Sequence, residues 1–280
     1  MQFPYLDIQE AIEFYAIFDG YPLLHTLQFN TDIFECIQRY IIEKHEALQK
    51  YFLFDTDADF QADLTAILSR IAKGDRKIYS TFQKEKISQI RSKHLFQVLF
   101  SLGIIQKEKT REKPLRRLKS HPIKKALRHY VIQDKLYFQN NFTRFWFTYC
   151  YQKVPELLHV QNSLDKFTSF CFEYLSNALI IHQVGVENIE DYGSYWDKNN
   201  EIDLLTHTKD GIVIAGESKW KNTKICKNIL NALEQKCFRA GLHVNKFALF
   251  SKSGFSKELM EQKREDVWLF DITAFKELYD

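Results

Sequence analysis

The chain has 280 residues, 45% hydrophobic and 15% aromatic, with 24 Phe and 14 Tyr against 9 Gly and 5 Pro. It is long enough for two or three well-filled cores, which excludes a disordered or low-complexity protein. Its five cysteines are odd in number and form no C-x-x-C pair, so neither a disulfide framework nor a zinc site is suggested, and no apolar run approaches the roughly 20 residues of a spanning helix. The formal net charge of +3 is modest, but ten Lys or Arg fall between Lys107 and Arg128 against only Glu108 and Glu112, which leaves the rest of the chain slightly acidic.

From Asp7 to about Lys50 the apolar spacing predicts helices: Ile8, Ala11, Ile12, Tyr15 and Ala16 share a face, and Thr31-Asp32 caps the amphipathic run Ile33 to Leu48. Phe18-Asp19-Gly20-Tyr21-Pro22 reads as the turn between them. After Asp55-Thr56-Asp57 a helix carries Leu64, Ile67, Leu68 and Ile71 on one face and stops at Gly74. A short helix is expected around Lys84 to Gln89, then a third over Lys93 to Phe100, closed by Gly103 and followed by a strand from Ile104-Ile105. That order predicts a winged helix-turn-helix, whose third helix can enter a major groove while a basic wing follows phosphates. The basic run supplies that wing: Lys113, Arg116, Arg117, Lys119, Lys124, Lys125 and Arg128 are the candidate nucleic-acid contacts. The alternatives are a helical linker or a protein-contact module. In Tyr137 to Phe147 the aromatics at 138, 142, 145 and 146 have helical spacing; they form either a core helix or a base-stacking strip around Arg144.

The last region alternates elements and predicts an α/β domain. A helix from Leu164 to Ile181 precedes strands Asn200 to Leu205 and Ile212 to Trp220; a helix from Lys224 to Ala240, a strand Lys246 to Ser251, a helix Lys257 to Arg264 and a strand Val267 to Ile272 follow. No internal repeat is present. The domains expected are 1–55, helical and lid-like; 56–151, winged helix with basic wing and aromatic docking helix; and 155–280, α/β.

Side chains alternate along a strand, so Glu201 and Asp203 share a face of one strand, and Glu217 and Lys219 share a face of the next. A three-residue loop Lys209-Asp210-Gly211 pairs Thr208 with Ile212, and counting back sets Asp203 opposite Glu217. A two-residue loop would set it opposite Gly216 and spoil the arrangement. Glu173, an acidic group in the otherwise apolar preceding helix, is the expected third carboxylate. Hard divalent cations such as Mg2+ or Mn2+ take carboxylate oxygens, so Asp203, Glu217 and Glu173 are the candidate metal ligands. With Lys219, which would position water or steady a phosphate, they form the candidate catalytic set. Glu201 is an expected outer-sphere ligand and Gln235 an expected substrate contact. The competing reading is an ordinary amphipathic hairpin whose lysine neutralises its carboxylates. No G-x-x-x-x-G-K-[ST] occurs and the His residues show no H-E-x-x-H, so the chain has no P-loop and no zincin motif.

An Asp opposite Glu-x-Lys on neighbouring strands resembles the PD-(D/E)xK nuclease core. The set Asn141 to Phe147, Tyr192-Gly193-Ser194-Tyr195-Trp196, Glu201 to Leu205 and Gly216-Glu217-Ser218-Lys219-Trp220 resembles the C-terminal domain of unknown function of archaeal-type AAA ATPases, itself similar to PD-(D/E)xK nucleases. Phe18 to Leu23 resembles the Gly-Tyr-Pro signature that follows their ATPase core. The chain has Asn200-Glu201-Ile202-Asp203 where the nuclease pattern has Pro before Asp. The resemblance implies a stand-alone form without the ATPase core: an α+β multidomain chain, with a helical region and winged helix-turn-helix before a restriction-endonuclease-like α/β domain. The expected function is that of a cytoplasmic, DNA-associated protein with a Mg- or Mn-dependent nuclease-like domain. The alternatives are a non-catalytic DNA-binding or regulatory module, with self-association as its partner contact, and an accessory subunit of a separate ATPase.

Overall fold

Short polar side chains set the helix starts. Asp32 accepts hydrogen bonds from the amides of Phe34 and Glu35 (2.8 and 2.9 Å), Asp57 from Phe60 (2.8 Å) and Asn140 from Thr143 (2.9 Å), and a helix begins after each. The computed structural model describes residues 6–28, 32–113, 122, 125–127 and 129–279. The chain divides into two compact units: one of Glu10–Lys109 and Gln133–Leu164, the other of Met1–Gln9, Thr110–Ile132 and Asp165–Asp280. The described flanks of the basic run, Thr110 to Lys113 and His129 to Ile132, group with the α/β elements, and the later division falls inside a helix.

The first unit holds α1 (Ile8–Phe18, from its third residue), α2 (Ile33–Ile37), α3 (His45–Gln49), α4 (Ala58–Ala72), α5 (Ile78–Lys84) and α6 (Gln89–Ser101). The hairpin β1 (Ile105–Glu108) and β2 (Lys135–Phe138) follows, with Ile105 paired to Phe138, and then α7 (Asn141–Phe145). A π-helical turn, Gln38–Ile42, interrupts the run expected as one helix from Ile33 to Leu48. Three helices and a strand come in the expected order, the strand paired in a hairpin with β2, but the short helix expected at Lys84 to Gln89 lies earlier, as α5. Its place is a turn, because Lys86 takes a left-handed backbone (φ 57°) and Ser88 caps α6 by accepting from the Arg91 amide (3.3 Å). Tyr137 and Phe138 belong to β2 rather than to the aromatic helix, since Asn140 starts α7 only after them.

That helix is core. Phe142, Phe145, Trp146 and Phe147 are all buried. Trp146 stacks on Phe52 at 4.7 Å and on His45 at 4.9 Å, and Phe142 meets Tyr21 edge-on at 5.0 Å. No base can stack on rings so enclosed, which removes the base-stacking alternative.

In the second unit α8 (Leu157–Val184, from Asp165 onward) leads into β3 (Ile189–Asp191), β4 (Tyr195–Trp196), β5 (Glu201–Ile202), β6 (Leu204–Thr208) and β7 (Val213–Lys219). Then come α9 (Lys227–Ala240), β8 (Lys246–Ser251), α10 (Lys257–Glu261) and β9 (Val267–Asp271). The main sheet runs β3-β6-β7-β8-β9, antiparallel up to β7 and parallel beyond it, while β4 and β5 pair separately. Helix, antiparallel strands, helix, parallel strand is the restriction-endonuclease-like arrangement. Leu205, Ala215 and Leu249 pack with Leu230, Leu233 and Cys237 of α9 on one face. On the other, Phe172 of α8 lies 5.1 Å from Trp220 and 4.7 Å from Phe275. The cysteines are free, and among the described residues no helix is long and apolar enough to cross a membrane.

Candidate functional site

The turn after β6 sets everything that follows. Gly211 is left-handed (φ 86°) and the Thr208 amide donates to the Ile212 carbonyl (3.0 Å), so the loop has three residues. Leu204 therefore pairs with Gly216, and the next step brings Asp203 to Glu217, as the parity argument requires. The chain bends at Asp203, between the small β4–β5 ladder and the main sheet. This bend lets its carboxylate lean across to β7, where it accepts from the Ser218 amide at 2.9 Å. Gly216 is small for a reason: a Cβ there would stand 3.1 Å from the Ala248 carbonyl oxygen and 3.2 Å from the Leu204 Cβ. A larger residue would push β6 and β8 off β7 immediately before Glu217.

The Lys219 ammonium joins the two carboxylates, 2.7 Å from Glu217 Oε1 and 3.9 Å from Asp203 Oδ2. Burial, and next the charge of Glu217, push the Asp203 carboxyl up to about 6. Burial works against the charge on Lys219, but the carboxylates of Glu217, Asp203 and Glu173 outweigh it and hold the ammonium above its ordinary range.

A second lysine, which the sequence reading missed, completes the cluster. Lys236 of α9 reaches both oxygens of Glu217, at 3.0 and 2.8 Å. Its signal was present: Ile229, Leu233, Lys236 and Ala240 follow the i, i+4, i+7, i+11 stripe that faces the sheet, so a charge stands where an apolar residue belongs. Gln235, the expected substrate contact, is exposed instead.

The expected third carboxylate, Glu173, lies on α8. Among the described residues no three His, Cys, Asp or Glu side chains stand together where they could hold an ion. Neighbouring Phe172 packs α8 on the face opposite α9, and the charge of Glu173 is felt at Lys219. Asn177, one turn on, ties α8 to the bend by donating to the Asp203 backbone carbonyl (3.2 Å). Glu201 is exposed in β5, across from Trp196.

Of the expected nucleic-acid contacts, Lys113 and Lys125 are exposed, while Arg116, Arg117, Lys119, Lys124 and Arg128 lie outside the described residues. Both flanks of that segment are tied within the α/β unit. The Arg111 guanidinium donates to the Asp191 carboxylate (2.7 and 2.9 Å) and to the carbonyls of Ser194 (2.9 Å) and Tyr192. Tyr130 donates to Glu112 at 2.7 Å.

A family model described as archaea bacterial proteins of unknown function matches residues 146–229. No curated protein matches the chain. Among solved structures, EndoMS in a complex with double-stranded DNA is 16% identical, with a TM-score of 0.23, over 34% of this chain and 41% of that one. Protein VC1899 from Vibrio cholerae is 15% identical, with a TM-score of 0.30, over 90% of this chain and 56% of that one. The chain thus spans about half the length, or less, of the structures it matches.

Proposed function

We propose that the α/β unit is a divalent-metal-dependent phosphodiesterase of the PD-(D/E)xK type, acting on DNA held by the basic segment. One observation carries this reading: at the end of the β6–β7 hairpin a buried carboxylate, Glu217, and a partly buried one, Asp203, meet one lysine at 2.7 and 3.9 Å. The donor set suits a hard cation. Two carboxylates suffice for Mg2+ or Mn2+, which keep several waters, and the burial and, next, the Glu217 charge that lift the Asp203 carboxyl disfavour its ionised form, which a divalent charge stabilises. Asp203 and Glu217 would hold the ion, which when bound supplies an activated water and neutralises charge on phosphate. Lys219, fixed by two acidic partners, would steady the phosphate oxygens, and the bend at Asp203 would orient the carboxylate against the Ser218 amide.

The second reading is a non-catalytic DNA-binding module or an accessory to a separate ATPase. It is favoured by the two ammoniums already on Glu217, which satisfy the carboxylate without any ion. Cleavage of single-stranded, duplex and branched DNA in Mn2+ separates the two. Wild-type protein should nick at least one substrate, and Asp203→Asn should abolish the nicking while remaining folded. A folded wild type that cuts none of them, yet retards DNA in a gel, leaves the binding module.

A further inference from the structure

Glu217 is the most heavily countered carboxylate of the α/β unit's acidic site. Its side chain is 9% exposed, Lys219 donates to Oε1, and Lys236 donates to both oxygens. The two lysines arrive from different elements. Lys219 lies two residues along β7, fixed by strand parity, whereas Lys236 reaches down from α9, a helix seated on the sheet through Leu230, Leu233 and Cys237. Three of the about four acceptor positions of the Glu217 carboxylate are taken by ammoniums, and a divalent cation brought to the carboxylate is repelled by both of them. Lys219 has somewhere to stay, because Asp203 is a second partner within 3.9 Å. Lys236 holds Glu217 through a flexible four-carbon stem and can swing away without moving the helix.

We propose that Lys236 is a built-in counter-cation of Glu217: it stabilises the carboxylate when no metal is bound, must leave it when a divalent ion binds, and so sets the concentration at which the site loads. The inference rests on the metal-site reading above and deepens it. Lys236 is here a positioning residue, which acts on Glu217 and through it on the ion. The arrangement gives a buried acidic pair a resident charge, so the fold does not depend on metal supply, at the expense of affinity.

The test is Mn2+ binding to the full chain, read from the electron paramagnetic resonance signal of free Mn2+ at fixed ionic strength, with circular dichroism as the check on folding. Lys236→Gln should bind Mn2+ roughly tenfold more tightly than wild type, the equivalent of one lost charge-assisted hydrogen bond. Lys236→Arg, which keeps a donor for Glu217, should return to wild-type affinity. Lys227→Gln, an exposed position on the same helix, controls for loss of one distant charge and should change affinity by less than about twofold, since solvent and salt screen it. Adding Asp203→Asn to Lys236→Gln should remove the tight site. Should Lys236→Gln not fold, Lys236→Met keeps the aliphatic stem and is read in the same way. A folded Lys236→Gln that binds no more tightly than wild type, or a gain that survives Asp203→Asn, overturns the counter-cation. No Mn2+ binding by any of these proteins removes the metal site itself and this inference with it, which distinguishes the two failures.

Discussion

Asp203 and Lys219 occupy one cluster but have opposite effects on stability. The Asp203 carboxyl rises from an ordinary 3.8 to about 6 on folding, because burial and the Glu217 charge disfavour its ionised form. Between those values the folded protein binds more protons than the unfolded chain, so this group's contribution to stability falls as pH rises from about 4 to about 6. Asp203→Asn should therefore melt close to wild type near pH 4 and above it at pH 7 in metal-free buffer. A melting curve that is lower at pH 7 would mean that the charged contact to the Ser218 amide outweighs the burial cost. Lys219→Ala should do the reverse, lowering stability at pH 7 by roughly 1–3 kcal/mol, because it strips the ammonium from two buried acids. Chemical denaturation of both variants decides the signs, and the competing view of Lys219 as a mere neutraliser predicts the same loss. Cleavage alone separates that view from a catalytic role.

At the scale of elements, the hairpin was legible and the helix ends less so. Strand parity, a three-residue loop and a glycine at its end fix the β6–β7 register by counting alone, and the pairing of Leu204 with Gly216 agrees with it. The position of α5 could not be counted in this way: the apolar residues near Lys84 suit a helix on either side, and the left-handed Lys86 decides it. Register also gives the sharpest element-level test. Gly216→Val places atoms against the Ala248 carbonyl and Leu204 in the central strand, and should cost about 1–3 kcal/mol by overpacking, seen as a lower denaturation midpoint. Wild-type stability in that variant would show that β6 and β8 can spread, and that Gly216 is not what holds Glu217 opposite Asp203.

For the molecule as a whole, charge distribution carries the functional expectation. The local excess of eight positive charges between Lys107 and Arg128 is larger than the net +3, so the remainder is acidic and repels a polyanion. Arg111 anchors one flank of this segment to Asp191 in the α/β unit, and the Tyr130–Glu112 contact joins the other flank to the first. Neutralising Arg116, Arg117 and Lys119 together should weaken DNA binding on every sequence alike and flatten the salt dependence by about 0.9 per lost duplex-phosphate contact. Fluorescence anisotropy at several salt concentrations measures both; unchanged affinity and slope would take the segment out of the DNA interface.

The sequence by itself determined what short-range rules can reach: helix starts at Asp32 and Asp57, the strand Lys246 to Ser251 and all but the last residue of the strand read as Val267 to Ile272, and the hairpin register that pairs Leu204 with Gly216. Side-chain alternation, capping and turn geometry act within a few residues, and one sequence contains all their terms. Tertiary structure alone decided that the helix bearing Glu173 packs on the face opposite α9 and that Lys236 closes on Glu217 from 19 residues away. Each depends on which face of a helix is pressed against which face of a sheet. That choice is made by the packing of the whole core, where a lysine on an apolar stripe shows only that something charged must be waiting for it.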